Sequence, residues 1–129
     1  MVPSKFVIIH GIGHCGTAWL TKILNRINGV VAFHEKRSEV LSQDWLTILK
    51  WEYKNGIDAF FSPYFTLMKQ QFSNFSVVCD AMSWGALSLP LIDKQIPIDL
   101  VIHIVRNGIQ NVHSLFHHNT AILSNDWLY

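Results

Sequence analysis

Phe6-Val7-Ile8-Ile9-His10-Gly11-Ile12-Gly13-His14-Cys15-Gly16-Thr17-Ala18-Trp19-Leu20 is the stretch that decides the fold. Phe6 to Ile9 is an unbroken apolar run between Lys5 and Gly11, the pattern of a strand buried on both faces. Gly11, Gly13 and Gly16 follow, and Trp19, Leu20, Ile23, Leu24 and Ile27 then recur at helical spacing until Asn28-Gly29 stops them. Strand, glycine loop and helix in that order make an anion cradle. The loop exposes backbone N–H groups, and the start of the helix carries about half a positive charge that favours phosphate or sulfate.

Outward from this unit, Val30 to Phe33 predicts a second strand ending at His34-Glu35, which makes the first helix the crossover of a parallel βαβ unit. Ser38 to Phe72 is amphipathic, with Val40, Leu41, Trp45, Ile48 and Leu49 on one stripe and breaks near Asn55-Gly56 or Ser62-Pro63, so two or three helices are expected there. Ser76 to Asp80 predicts a third strand, Trp84 to Ile92 a short helical piece around Pro90, and Leu100 to Val105 a fourth, core strand. Gly108 to His118 completes the series as a helix. The alternation of strands and helices implies a three-layer α/β/α sandwich with a mostly parallel sheet, and such sheets bind ligands at the C-terminal ends of their strands.

A chain of 129 residues, half of them hydrophobic and 15% charged, is expected to fold as a single domain over 1–129. Ten Lys and Arg against nine Asp and Glu leave a formal charge of +1, so neither nucleic acid nor an anionic membrane is an expected partner, and any anion site must be local. Cys15 and Cys79 are too few for a disulfide framework and lack zinc-ribbon or CxxC spacing, so both read as free thiols. No secretory signal and no run of roughly 18 apolar residues is present, and a soluble cytoplasmic protein is expected. The seven histidines raise a metal hypothesis, because His10, His14 and His34 fall near the ends of two strands expected to be adjacent. Their spacing is not that of a metal site, and no metal is expected. His103, among Val and Ile, reads as a core histidine; His113, His117 and His118 read as helix-surface or substrate-side groups, and Trp45, Trp51 and Trp84 as core anchors.

The glycine loop satisfies more than one template. Gly11, Gly13 and Gly16 match GxGxxG, and Glu35, about 20 residues on, stands where a dinucleotide-binding acid would reach the ribose. Gly11 and Gly16 also match the ends of an ATP or GTP P-loop, but Thr17 occupies the place of its phosphate-binding Lys and Ala18 that of its magnesium-binding hydroxyl. Glycines serving only a tight turn and helix–strand packing are the third possibility.

His14-Cys15-Gly16-Thr17-Ala18-Trp19-Leu20 resembles the sulfotransferase loop, written Lys or Arg, Ser, Gly, Thr, Thr, Trp, Leu, which cradles the 5′-phosphosulfate of 3′-phosphoadenosine-5′-phosphosulfate (PAPS). Leu100 to Phe116 is similar to the other nucleotide motif of that family, a hydrophobic strand ending in Arg, followed by Asp or Asn, a small residue or Pro, and a helix carrying Ser; Arg106 and Ser114 occupy the two positions. An Arg at a strand end offers a fixed fork of donors to phosphate, and a Ser eight residues later lies about two turns into the next helix. The resemblance covers Lys5 to about Asn119 and is specific in these two segments. It implies a P-loop-NTPase-like fold, PAPS as co-substrate with no metal, and transfer of a sulfuryl group to a hydroxyl or amine of a small-molecule or glycan acceptor. It implies cofactor contacts at Gly13, His14, Cys15, Gly16, Thr17, Ala18, Trp19, Arg106 and Ser114.

Sulfuryl transfer needs an aligned acceptor hydroxyl, a base for its proton, and positive character at the oxygen leaving sulfur. Glu35, at the end of the second strand, is the candidate base, with His34 as a substitute that should point the other way along an extended chain. His14 stands at the loop's basic position as the second candidate catalytic residue, mainly neutral near pH 7 unless a bound anion raises its pKa above the reference of about 6.5. Ala18 lacks the second hydroxyl of the loop, and Ala81 replaces the Lys that many members carry after Asp80. Two alternatives stand beside the sulfotransferase: an NAD(P)-binding oxidoreductase and a nonenzymatic nucleotide-binding module. Sulfotransferases are commonly about twice this length, so the chain is expected to be an N-terminal part of such a domain, incomplete at its C-terminus.

Overall fold

The computed structural model describes residues 4–12, 15–36, 62–83 and 89–117. In chain order the elements are β1 (Lys5–Gly11), α1 (Thr17–Leu24), β2 (Val30–His34), α2 (Ser62–Gln71), β3 (Val77–Ser83), α3 (Leu89–Gln95), β4 (Leu100–Ile104) and α4 (Gly108–His117). Of the amphipathic stretch read as two or three helices, α2 lies within the described residues, with Pro63 in its first turn, where a missing N–H costs nothing. Its remainder, with Trp45 and Trp51, falls outside them, as do Gly13, His14, Trp84 and His118.

The strands form one sheet in the order β2-β3-β1-β4, and each pair is parallel. The direction of travel along the sheet explains where the helices lie. The chain steps one way from β1 to β2 and back the other way from β2 to β3 and from β3 to β4, so crossovers of one hand must put α1 on one face and α2 and α3 on the other. The packing agrees. Val7, Ile9, Cys79 and Ala81 meet Leu20 and Leu24 of α1, whereas Phe6, Ile8, Val78 and Met82 meet Tyr64, Phe65 and Met68 of α2 and Ile92 of α3. β1, between β3 and β4, therefore buries both faces, as its apolar run predicts, and Ile8 and Ile9 are fully enclosed. Each such side chain contributes about 1.5–3 kcal/mol.

Polar clamps fix how the strands align. Asp99 accepts from the Phe6 N–H at 2.8 Å and pairs with Lys5 Nζ at 2.7 Å, pinning the start of β4 to the start of β1. Hydrogen bonding to Lys5, and then to the Phe6 N–H, holds the Asp99 carboxyl below its ordinary range. Asn25, the C-cap of α1, uses its side-chain amide as a strand would. Its Nδ2 donates to the Ala32 carbonyl at 2.7 Å and its Oδ1 accepts from the Ala32 N–H at 2.8 Å, tying the helix end to β2.

Four expectations are corrected. β2 is not beside β1, because β3 lies between them. β4 is not a core strand: among the described residues it is an edge, and Leu100, Val101 and, just beyond it, Val105 are exposed. His103 is accordingly exposed rather than buried. On α1 the fully buried positions are Thr17 and Thr21, while Trp19 is 67% exposed, so the apolar stripe is rotated away from the one the sequence suggests. Local periodicity registers apolar residues but not which neighbours arrive to cover them.

Candidate functional site

The C-terminal end of β1 runs into the glycine loop at a close approach that excludes any side chain at Gly11. A Cβ there would meet Cys15 Sγ and would stand 2.7 Å from the Ile104 carbonyl oxygen of the paired strand β4. The loop folds back tightly, with the Cys15 N–H donating to the Ile12 carbonyl at 3.1 Å, so that the Cys15 thiol is buried over Gly11. Gly16 then takes φ +108°, the left-handed region open to glycine, and α1 starts at Thr17. This helix start has neither a side-chain cap nor an acidic residue in its first turn, so neither of these offsets its positive end among the described residues.

Thr17, the first residue of α1, is buried, and its Oγ1 shares a hydrogen bond of 3.1 Å with His34 Nε2 at the end of β2. The helix start is thereby joined to a strand two positions from β1, roughly 10 Å across the sheet. Glu35 follows with φ 53°, its N–H donating to the Ala81 carbonyl at 2.8 Å. That bond extends the β2–β3 ladder by one step before the backbone turns out of the strand. A left-handed conformation in a residue with a side chain costs about 1–2 kcal/mol.

Arg106 stands two residues beyond Ile104, the β4 residue paired with Gly11. Asn107 next to it caps α4, its Oδ1 accepting from the N–H groups of Ile109 at 3.0 Å and Gln110 at 3.4 Å. Strand pairing on one side and this cap on the other hold Arg106 at the strand–helix junction. Burial pushes the Cys15 thiol up, while the backbone N–H groups of Thr17 and of Cys15 itself and the Arg106 guanidinium pull it down. Ser114 is half-buried on α4, about 9 Å along the axis from Gly108. Ala18 and Trp19 lie exposed on the first turn of α1, so an indole face is open to solvent beside the loop.

Gly13 and His14 lie outside the described residues, so the proposed histidine contact with the leaving oxygen is not placed. The trio His10, His14 and His34 loses its premise, since β1 and β2 are not neighbours. Among the described residues no group of three or more His, Cys, Asp or Glu is placed to hold a metal ion. Two contacts escape the sequence reading: the Thr17–His34 bond and a pairing of His10 with His103 across β1 and β4. Both join residues 17 or more apart through strand order and register, for which neither motif spacing nor periodicity carries a signal.

No family model matches the chain, and no curated protein matches it significantly. Among solved structures it is similar to a shikimate kinase from Acinetobacter baumannii in complex with shikimate, with a TM-score of 0.56 and 12% identity over 95% of this chain and 68% of that one. At this identity the likeness is one of fold. The fold is P-loop-NTPase-like, as expected, α/β with a parallel sheet and helices on both faces. The strand order separates it from the dinucleotide-binding order 3-2-1-4-5-6, in which β2 adjoins β1 and brings its terminal acid to the glycine loop. Here β3 occupies that place, and the role of Glu35 in the dinucleotide template loses its geometry. No helix among the described residues is long and apolar enough to cross a membrane.

Proposed function

We propose that the chain binds PAPS and transfers its sulfuryl group to a hydroxyl or amine of a small-molecule or glycan acceptor. The observation that carries the reading is the pairing of the two motif strands: Gly11 of β1 is the register partner of Ile104 of β4, two residues before Arg106. An anion held by the loop and the start of α1 would lie at the same end of the sheet as Arg106. In this reading Gly13, His14, Cys15, Gly16, Thr17 and Ala18 surround the 5′-phosphosulfate, the open face of Trp19 stacks on the adenine, and Arg106 with Ser114 takes the 3′-phosphate. The absence of a Lys at Thr17 favours this over a nucleoside-triphosphate kinase, despite the shared fold.

For the transfer itself, the acceptor oxygen attacks sulfur while the bridging oxygen leaves with the 5′-phosphate. Glu35 is proposed as the base that takes the acceptor proton, its left-handed backbone being the kind of strain that clusters at functional sites. His14 is proposed to stabilise the leaving oxygen. His34, hydrogen-bonded to Thr17, orients the first hydroxyl of the loop.

Calorimetric titration with adenosine 3′,5′-bisphosphate and with adenosine 5′-monophosphate tests the binding half of this reading. The parent is expected to prefer the bisphosphate. A hydrogen bond to a charged group contributes about 1.5–3 kcal/mol, so Arg106→Ala should weaken the bisphosphate by roughly ten- to a hundredfold and leave the monophosphate nearly unchanged. Ser114→Ala should act in the same selective direction with a smaller loss. A parent without 3′-phosphate preference removes the reading, and equal losses for both ligands place Arg106 in structural support.

A further inference from the structure

His10 and His103 are register partners in the parallel pair β1–β4, immediately before the glycine loop. Their Nδ1 atoms lie 3.2 Å apart and share a hydrogen bond, and the ring centroids are 4.4 Å apart at an interplanar angle of 44°. One proton joins the two Nδ1 atoms, so one ring donates and the other must present a lone pair. At least one imidazole is therefore neutral. The environment favours that state, because burial and then the nearby His103 push His10 below its ordinary value.

Neutral imidazole nitrogens are ligands for zinc, copper and nickel. Around a tetrahedral zinc, with Zn–N bonds of about 2.0–2.1 Å, two ligating nitrogens stand about 3.3–3.4 Å apart. The strand register already holds the two Nδ1 atoms at 3.2 Å, within about 0.2 Å of that separation. The register holds the two residues side by side, so rotation of the rings about their side-chain torsions is the rearrangement needed to aim both Nδ1 lone pairs at one ion. Among the described residues His103 is exposed on an edge strand, so its ring is open to an ion from solvent.

We propose that His10 and His103 form a two-imidazole clamp for a borderline divalent cation of the zinc or copper class, each ligating through Nδ1, with water or a small anion completing the coordination. When the ion binds, the ring that donates in the free pair moves its proton from Nδ1 to Nε2 through solvent, and both Nδ1 lone pairs go to the metal. Nothing is oxidised or reduced. The clamp uses neither Arg106 nor the glycine-loop amides, so it stands or falls independently of PAPS binding.

The test is a zinc chloride titration of the 15N-labelled chain near pH 7.5, about one unit above the reference imidazole pKa, followed by long-range imidazole 1H–15N correlations. The Nδ1 signals of His10 and His103 should shift together and saturate, with both rings protonated at Nε2. By calorimetry, His103→Ala should weaken zinc binding at His10 more than about tenfold, and His10→Gln should do the same to His103, whereas His113→Ala leaves both unchanged. Two variants on separate strands, each checked by its melting curve, keep a folding defect from imitating the result. Nδ1 signals that stay in place in excess zinc, zinc that moves only other histidines, or His103→Ala binding with the parent's affinity would each overturn the clamp.

Discussion

Gly11→Ala should be the most damaging single-methyl change in the glycine loop. The new Cβ would lie 2.7 Å from the Ile104 carbonyl oxygen and closer still to Cys15 Sγ. The thiol can turn aside, but the carbonyl belongs to β4 at the point where it pairs with β1, so relief requires moving a strand. Overpacking of this kind costs about 1–3 kcal/mol, and a rigid backbone obstacle argues for the upper half of that range. With an unfolding entropy of about 2.1 cal/mol/K per residue, a chain of 129 residues loses roughly 4 °C of melting temperature per kcal/mol, so a fall of roughly 8–12 °C is expected. Two other glycines calibrate the experiment. Gly16→Ala meets no atom within 4 Å but inherits φ +108°, and should cost about 1–2 kcal/mol through the backbone alone. Gly108→Ala meets nothing and has no positive φ, so it should be neutral or gain about 0.4–1 kcal/mol from a less flexible unfolded chain. Thermal melts followed by circular dichroism should thus rank Gly108→Ala highest and Gly11→Ala lowest, with Cys15→Ala rescuing Gly11→Ala only in part. A Gly11→Ala protein melting within roughly 2 °C of the parent would refute the close approach of loop, β1 and β4.

Three further outcomes follow from the packing. Tyr64→Phe removes the hydroxyl that donates to Asp80 Oδ2 at 2.6 Å in the buried face of the sheet, and urea titration should show a loss of about 1.5–3 kcal/mol; a neutral result would mean that the bond is not made. Asn25→Ala removes both bonds to Ala32, and should cost about 1–3 kcal/mol and speed amide exchange at Ala32 more than at Ile8. The lowered pKa of His10 means that the unfolded chain binds more protons than the native one below the reference value of about 6.5, so the His10 contribution is complete above that pH and declines as pH falls through the window down to the native pKa. His10→Gln should flatten this part of the stability–pH curve, and an unchanged slope would locate the acid sensitivity elsewhere.

The glycine turn after β1 and the strand–helix junction at Arg106 were legible before the fold was known, for local reasons. Gly11 and Gly16 are required by a contact and by a backbone angle within one tight loop, and Arg106 with Asn107 forms a strand end and a helix cap within two residues. The contacts that connect these pieces were not legible. Thr17 meets His34 only because α1 crosses over β3 to reach β2, and His10 meets His103 only because β4 returns to the far side of β1.

The amino-acid sequence by itself determined the succession of strands and helices among the described residues and the glycine turn between β1 and α1. Those features rest on side-chain alternation and glycine freedom, which act over a few residues. Only the tertiary structure decided that β3 separates β1 from β2, and with it that the fold is P-loop-like rather than of the dinucleotide strand order. Only it placed β4 at an edge among the described residues, although its Leu100-Val101-Ile102 run reads like that of a central strand. Strand order and burial are set by which distant surfaces meet, and an apolar pattern specifies that a face should be covered without specifying by what.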